Sequence, residues 1–219
     1  MRVRITFSKQ GALRYTGNLD LHKMLERSIR RARLPLAYSQ GYHPQPKLNL
    51  AAALPLGFAS RAEVMDMWLN EEVDDVIPAL QANVPPGLTI LRAEDVDERE
   101  PSLQSQVIAA EYEVEITEAP QSGEAGYGPG LTEKIASVME SESIPRERRN
   151  KKYDLRPLIE ELTPLFLSGR GARGEGQGLF MRLTAREGAT GRPEEVLNVI
   201  GIPIEDTRIE RTKLIFQQP

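Results

Sequence analysis

The chain has 219 residues, 40% of them hydrophobic, and a formal net charge of −4, enough to bury one large core or two small ones, and two domains are expected. It has no cysteine, which excludes disulfides, thiolate nucleophiles, Cys-ligated zinc and a self-contained iron–sulfur cluster, and His22 and His43 are its only imidazoles, too few for a usual transition-metal site or a Ser-His-Asp relay. No run approaches the roughly 18 apolar residues of a membrane span and MRVRITFSKQ lacks the apolar core of a signal peptide, so a cytoplasmic protein with no membrane partner is expected.

From Arg2 to Ser8, Val3, Ile5 and Phe7 alternate with Arg2, Arg4 and Thr6, the period of a strand with one buried face. From Leu21 the period becomes helical: Leu21, Met24, Leu25, Ser28, Ile29 and Ala32 make one stripe, Asn18 stands at the N-cap, Asp20 in the first turn, and Pro35 ends the run. By the same arithmetic Lys23, Arg27, Arg30 and Arg31 share the opposite face, with Glu26 the one acid nearby, while Arg33 follows. Such a face is either merely solvated or an anion-binding surface. The loop Ser39-Gln-Gly-Tyr-His-Pro-Gln-Pro-Lys47 comes next, and Gly41, Pro44 and Pro46 deny it regular structure.

Leu48 to Leu56 is almost wholly apolar and reads as a strand buried on both faces. Glu63 to Leu69 alternates again, Met65, Met67 and Leu69 against Asp66 and Trp68. Val76, Ile77, Leu80 and Val84 suggest a second helix, stopped by Pro85-Pro86-Gly87, and Leu88 to Ala93 a further strand. The order is β-α-β-β-α-β, the ferredoxin-like plan. EDVDEREPSLQSQ (94–106) is charged and aperiodic, which sets the domains at residues 1–98 and 107–219.

In the second half, Ala110 to Thr117, Leu155 to Leu167, Leu179 to Ala185 and Thr207 to Phe216 read as strands; Leu131, Ile135, Val138 and Met139, and then Pro193 to Ile200, read as helices; and QSGEAGYGPG reads as a turn. The fold expected is α+β, two ferredoxin-like domains in tandem.

Three segments carry candidate chemistry. Tyr38, Tyr42 and His43 stand among the cations of the helix and Lys47, a combination in which Lys and Arg hold phosphate while aromatic faces stack on unpaired bases, although both tyrosines would also fit beneath the helix. Arg146-Glu-Arg-Arg-Asn-Lys-Lys-Tyr153 is a second basic run, in which Arg148, Arg149, Lys151 and Lys152 are candidates for the same backbone and an exposed hairpin without a ligand is the plainer reading. Arg170 to Gly178 is glycine-rich but lacks the Gly-Lys-Ser/Thr of a phosphate loop, and reads as a flexible hairpin loop. His43 is the one candidate general base; Glu71, Glu72, Asp74 and Asp75, adjacent in sequence, read as capping or solvated carboxylates.

Leu19-Asp20-Leu21, Arg27, Arg30-Arg31-Ala32, Pro35, Ser39-Gln40-Gly41-Tyr42-His43-Pro44, Pro46-Lys47, Leu54-Pro55-Leu56-Gly57, Ser60 and Glu63, with Asp154-Leu-Arg-Pro157, Arg192-Pro193, Leu197 and Ile209-Glu-Arg-Thr212, resemble the radical-SAM-linked protein family, a domain of unknown function. The resemblance implies a separate radical SAM protein as partner, and a genomic neighbourhood with ribonucleases that points to RNA. Asn18 and Gln45 stand where relatives carry histidine, which weakens any His-based metal or nuclease site.

The reading is therefore a non-catalytic RNA-binding or substrate-presenting accessory protein with no cofactor and no metal, holding RNA through Lys23, Arg27, Arg30, Arg31, Tyr42, His43 and Lys47. The alternatives are a metal-independent endoribonuclease or RNA-modifying enzyme using His43, and a scaffold that docks the radical SAM partner.

Overall fold

Val3, Ile5 and Phe7 are all buried on β1 (Arg2–Lys9), as their alternation requires. In the computed structural model, which describes residues 1–117, 128–168 and 175–217, there follow α1 (Asn18–Arg31), β2 (Leu48–Leu50), β3 (Ala59–Trp68), α2 (Val76–Gln81), β4 (Leu88–Val96) and α3 (Leu103–Gln106). β1 pairs antiparallel with β3 and β4, and β2 pairs antiparallel with β3, giving the order β4-β1-β3-β2. In this register Val3 faces Met67 and Ile5 faces Met65, and these four join Leu25 and Ile29 of α1 in one core. The other face of the same strands is ionic. There the buried Asp66 carboxylate accepts from the guanidiniums of Arg2 and Arg4, and Arg2 also lies over the Trp68 ring.

The chain divides into two compact units, one of Met1–Val107 joined by the C-terminal residues from Phe216, the other Ile108–Ile215. The charged stretch from residue 94 is not the loose connection its composition suggests. β4 runs on to Val96, Leu103 is fully buried, and Arg2 donates to the carbonyls of Glu100 (2.9 Å) and Pro101 (3.0 Å). One buried leucine and one buried arginine hold a segment with no periodicity of its own.

The second unit contains β5 (Val107–Ile116), α4 (Gly128–Glu140), β6 (Pro145–Arg148), β7 (Lys151–Asp154), β8 (Ile159–Ser168), β9 (Glu175–Arg186), β10 (Ala189–Thr190), α5 (Pro193–Ile200) and β11 (Thr207–Phe216). β9 is central: β5 pairs along one edge, β8 and then β10 along the other, and β11 lies beside β5, while β6 and β7 form a separate hairpin. α5 opens on Pro193 and closes on Gly201, whose φ of 81° is the left-handed cap that a side chain would strain. Over its described residues the chain is a mixed α+β protein dominated by strands.

Several expectations need correction. Asn18 is the first helical residue of α1, after an N-cap at Gly17, and caps nothing with its side chain. The strand expected over Leu48–Leu56 ends at Leu50: Ala51 N–H still donates to Val64 O, and the chain then bends through Pro55 and Gly57 (φ 90°), with Leu54 and Phe58 buried as anchors of that bend. Leu155 to Leu158 is no strand: Arg156–Leu158 forms a 3-10 turn, and β8 starts at Ile159. The QSGEAGYGPG turn lies largely outside the described residues, and so does the first part of the Arg170–Gly178 connection, whose Glu175–Gly178 belongs to β9.

Candidate nucleic-acid interface

α1 buries Leu21, Leu25, Ser28 and Ile29 and leaves Lys23, Arg27, Arg30 and Arg31 exposed, so the basic face lies outward as helical spacing requires. Glu26 reaches Arg30 at 3.8 Å, an exposed pair of small energetic weight. Among the described residues no carboxylate pairs with Lys23, Arg27, Arg31, Arg33 or Lys47. Four like charges on one stripe repel one another, and a polyanion relieves that repulsion.

The loop after α1 has a fixed neck and an open tip. Tyr38 bridges Pro46, Lys47 N–H donates to Ala37 O (2.8 Å), Ser39 N–H donates to Gln45 O (2.8 Å), and Gln45 N–H donates back to Ser39 Oγ (2.9 Å). Gly41, at φ 135°, supplies a backbone conformation rare for L side chains, and Tyr42 beyond it is 99% exposed. Tyr42 therefore does not pack beneath the helix. His43 is exposed beside it, and its carbonyl accepts from the Gln45 amide at 3.3 Å.

His22 is a residue that pattern reading passed over. Its Nε2 lies 3.1 Å from Leu48 O, which fastens α1 to β2 between two cations: Lys23 follows His22 and Lys47 precedes Leu48 in sequence. The only sequence signal was a histidine at the edge of the apolar stripe. Its partner is a main-chain oxygen, and residue type leaves no trace of that.

The second basic run belongs to the other unit and forms the β6–β7 hairpin, with Arg148 facing Lys151, Lys152 facing Glu147, and Arg149 and Asn150 in the turn. Arg149, Lys151 and Lys152 are exposed, and Arg148 is half-buried. At the base of the hairpin, N–H groups of Ile144 and Arg156 donate to Asp154 and hold its carboxyl below the usual range, while desolvation, helped by the charge of Glu195, pushes the Tyr153 phenol up.

Among the described residues no group of three or more histidine, aspartate or glutamate side chains is placed to hold a metal ion, and no helix is long and apolar enough to cross a membrane. Near the start of α1, Tyr15, Leu19 and Leu56 are 63%, 78% and 65% exposed.

A bacterial family described as "Uncharacterized protein conserved in bacteria (DUF2344)" matches residues 2–193. The chain belongs to DUF2344. No curated protein matches it. Among solved structures, this DUF2344 chain is similar to one in the crystal structure of a Cbf5-Nop10-Gar1 complex, at 10% identity and a TM-score of 0.45, over 97% of its own length and 48% of that chain's. A second, an unknown protein from Galdieria sulphuraria, is 14% identical with a TM-score of 0.26, over 96% of each chain. A likeness at these scores assigns neither fold nor function.

Proposed function

We propose that this DUF2344 chain is a non-catalytic RNA-binding accessory protein, whose first unit holds single-stranded or looped RNA on the outer face of α1 and the Gly41–Lys47 loop. One observation carries the reading: α1 aligns Lys23, Arg27, Arg30 and Arg31 outward with a single ion-pair partner among them, beside a pinned loop that holds Tyr42 clear of the protein. In this reading the cations and Lys47 contact phosphate, Tyr42 stacks on a base, and His43 contacts one. The orders β4-β1-β3-β2 with α1 and α2, and β11-β5-β9-β8 with α4 and α5, support treating both units as ferredoxin-like.

Filter binding over a salt series tests the proposal. Affinity for single-stranded RNA should fall with salt, and Arg27→Ala with Arg30→Ala should flatten the slope by about 1.4, two phosphate contacts at roughly 0.7 each. Binding that is absent, or indifferent to salt, ends it. The enzyme alternative has its own test: discrete RNA cleavage or modification that disappears in His43→Ala would support it.

A second reading makes the same face a docking surface for a protein partner, the radical SAM enzyme that the resemblance implies. Exposed Tyr15, Leu19 and Leu56 at one end of α1 favour it, since apolar side chains add nothing to phosphate binding. Co-purification of that partner after nuclease treatment, lost in Leu19→Glu, would place it ahead of RNA.

A further inference from the structure

The β6–β7 hairpin is matched in charge at its base and unmatched at its tip. At the base Arg146 pairs with Glu195 (3.0 Å) and donates to Asn198 Oδ1 (2.6 Å), Arg156 donates to Met139 O (2.8 Å) and Ile159 O (3.0 Å), and Asp154 Oδ1 accepts from the N–H groups of Ile144 (2.8 Å) and Arg156 (3.0 Å). At the tip, among the described residues, no carboxylate pairs with Arg148, Arg149, Lys151 or Lys152.

Two local choices at the tip work against the hairpin itself. Arg149 and Asn150 both have positive φ, 49° and 61°, so the two-residue turn is of the mirror-image type that favours Gly, Asn or Asp, and an arginine occupies its first position. Arg148 and Lys151 are direct cross-strand partners, so like charges face each other across the closing pair. A residue suited to the turn, or an acid at either strand end, would remove the conflict. Local rules broken together at one point, on a base fixed to α5 by Arg146, mark a site where something other than folding sets the residues.

We propose that the β6–β7 tip is a second RNA contact that grips the phosphodiester backbone without reading bases. The charge identifies the ligand as a polyanion, and its assignment to RNA rests on the function proposed above. The hairpin's one aromatic, Tyr153, is half-buried at the base opposite Arg146, so the tip offers phosphate contacts and no stacking face.

The test uses the full chain and fluorescence anisotropy with labelled oligouridine and mixed-sequence RNA over a salt series. Arg148→Gln, Arg149→Gly and Lys151→Gln combined should flatten the salt slope by about 2 and so weaken both RNAs by roughly a hundredfold near about 0.1 M salt, with an unchanged or raised melting temperature. A folded triple variant with wild-type affinity and slope overturns the proposal, and so does a loss confined to one RNA sequence. Comparison with Arg27→Ala and Arg30→Ala separates the two sites: loss from the hairpin variant alone leaves this contact standing and removes the α1 surface, and loss from the α1 variant alone does the reverse. A wild-type chain that binds neither RNA overturns both.

Discussion

The Nε2 of His22 stands 3.1 Å from the carbonyl oxygen of Leu48 and joins the first turns of α1 to the first residue of β2. A carbonyl only accepts, so Nε2 carries the proton and donates. His22→Ala leaves that oxygen without its donor and should lower stability by about 1 kcal/mol, a drop of roughly 2–4 °C in melting temperature. Under the RNA-binding proposal the same variant should also lose affinity for RNA, because His22 and Leu48 adjoin Lys23 and Lys47. A variant with wild-type melting and binding would show that this bond positions nothing.

What the sequence made legible follows from the physics of each element. β1 and α5 declare themselves because one face of each is apolar at the right period, and α5 and β11 occupy the expected spans of 193–200 and 207–216, although β11 mixes charged and apolar residues on both faces and buries Arg211. The outward setting of Lys23, Arg27, Arg30 and Arg31 follows from the same helical arithmetic. The run Leu48–Leu56 misleads because an apolar stretch looks alike in a buried strand and in a bend pinned by Leu54 and Phe58. The basic run Arg146–Tyr153 forms the hairpin that is its plainer reading, β6–β7, but its charged residues follow no period and do not show where each strand starts and ends. The loop neck is held by main-chain bonds of Ala37, Ser39, Gln45 and Lys47, which residue types do not reveal.

Asp66 is wholly buried and accepts from Nε and Nη2 of both Arg2 and Arg4. Removing its charge leaves the Arg2 guanidinium, 2% exposed, with two carbonyls and the Trp68 ring but without its carboxylate counter-charge. Asp66→Asn should therefore destabilise the protein by about 3–5 kcal/mol in denaturant unfolding. Arg2→Met, Arg4→Met and Asp66→Leu together should recover much of that loss, since no buried charge is then left unpaired. A single variant that is neutral would mean water reaches the site.

Asp154 links the β6–β7 base to pH. N–H donation from Ile144 and Arg156 lowers its pKa in the folded state, so its contribution is fully present above the unfolded value of about 3.9 and is lost as pH falls through the lower folded value. Asp154→Ala should lower the unfolding midpoint at neutral pH and make little difference well below the folded pKa. An equal gap between wild type and variant at both pH values would mean that the carboxylate does not carry this linkage.

Tyr42 separates binding from folding. At 99% exposure it supports no core, so Tyr42→Ala should leave stability within about 0.5 kcal/mol of wild type. A tyrosine that stacks on an unpaired base is worth about 1–3 kcal/mol, so the same variant should lose roughly 5- to 150-fold in affinity for single-stranded RNA. Tyr42→Trp should keep that affinity because it keeps the ring face, and affinity for duplex RNA should not respond because its bases are already stacked. Cation contacts alone would give a different pattern: Tyr42→Ala would bind single strands as the wild type does, and the loop would then serve only to place Lys47 beside α1.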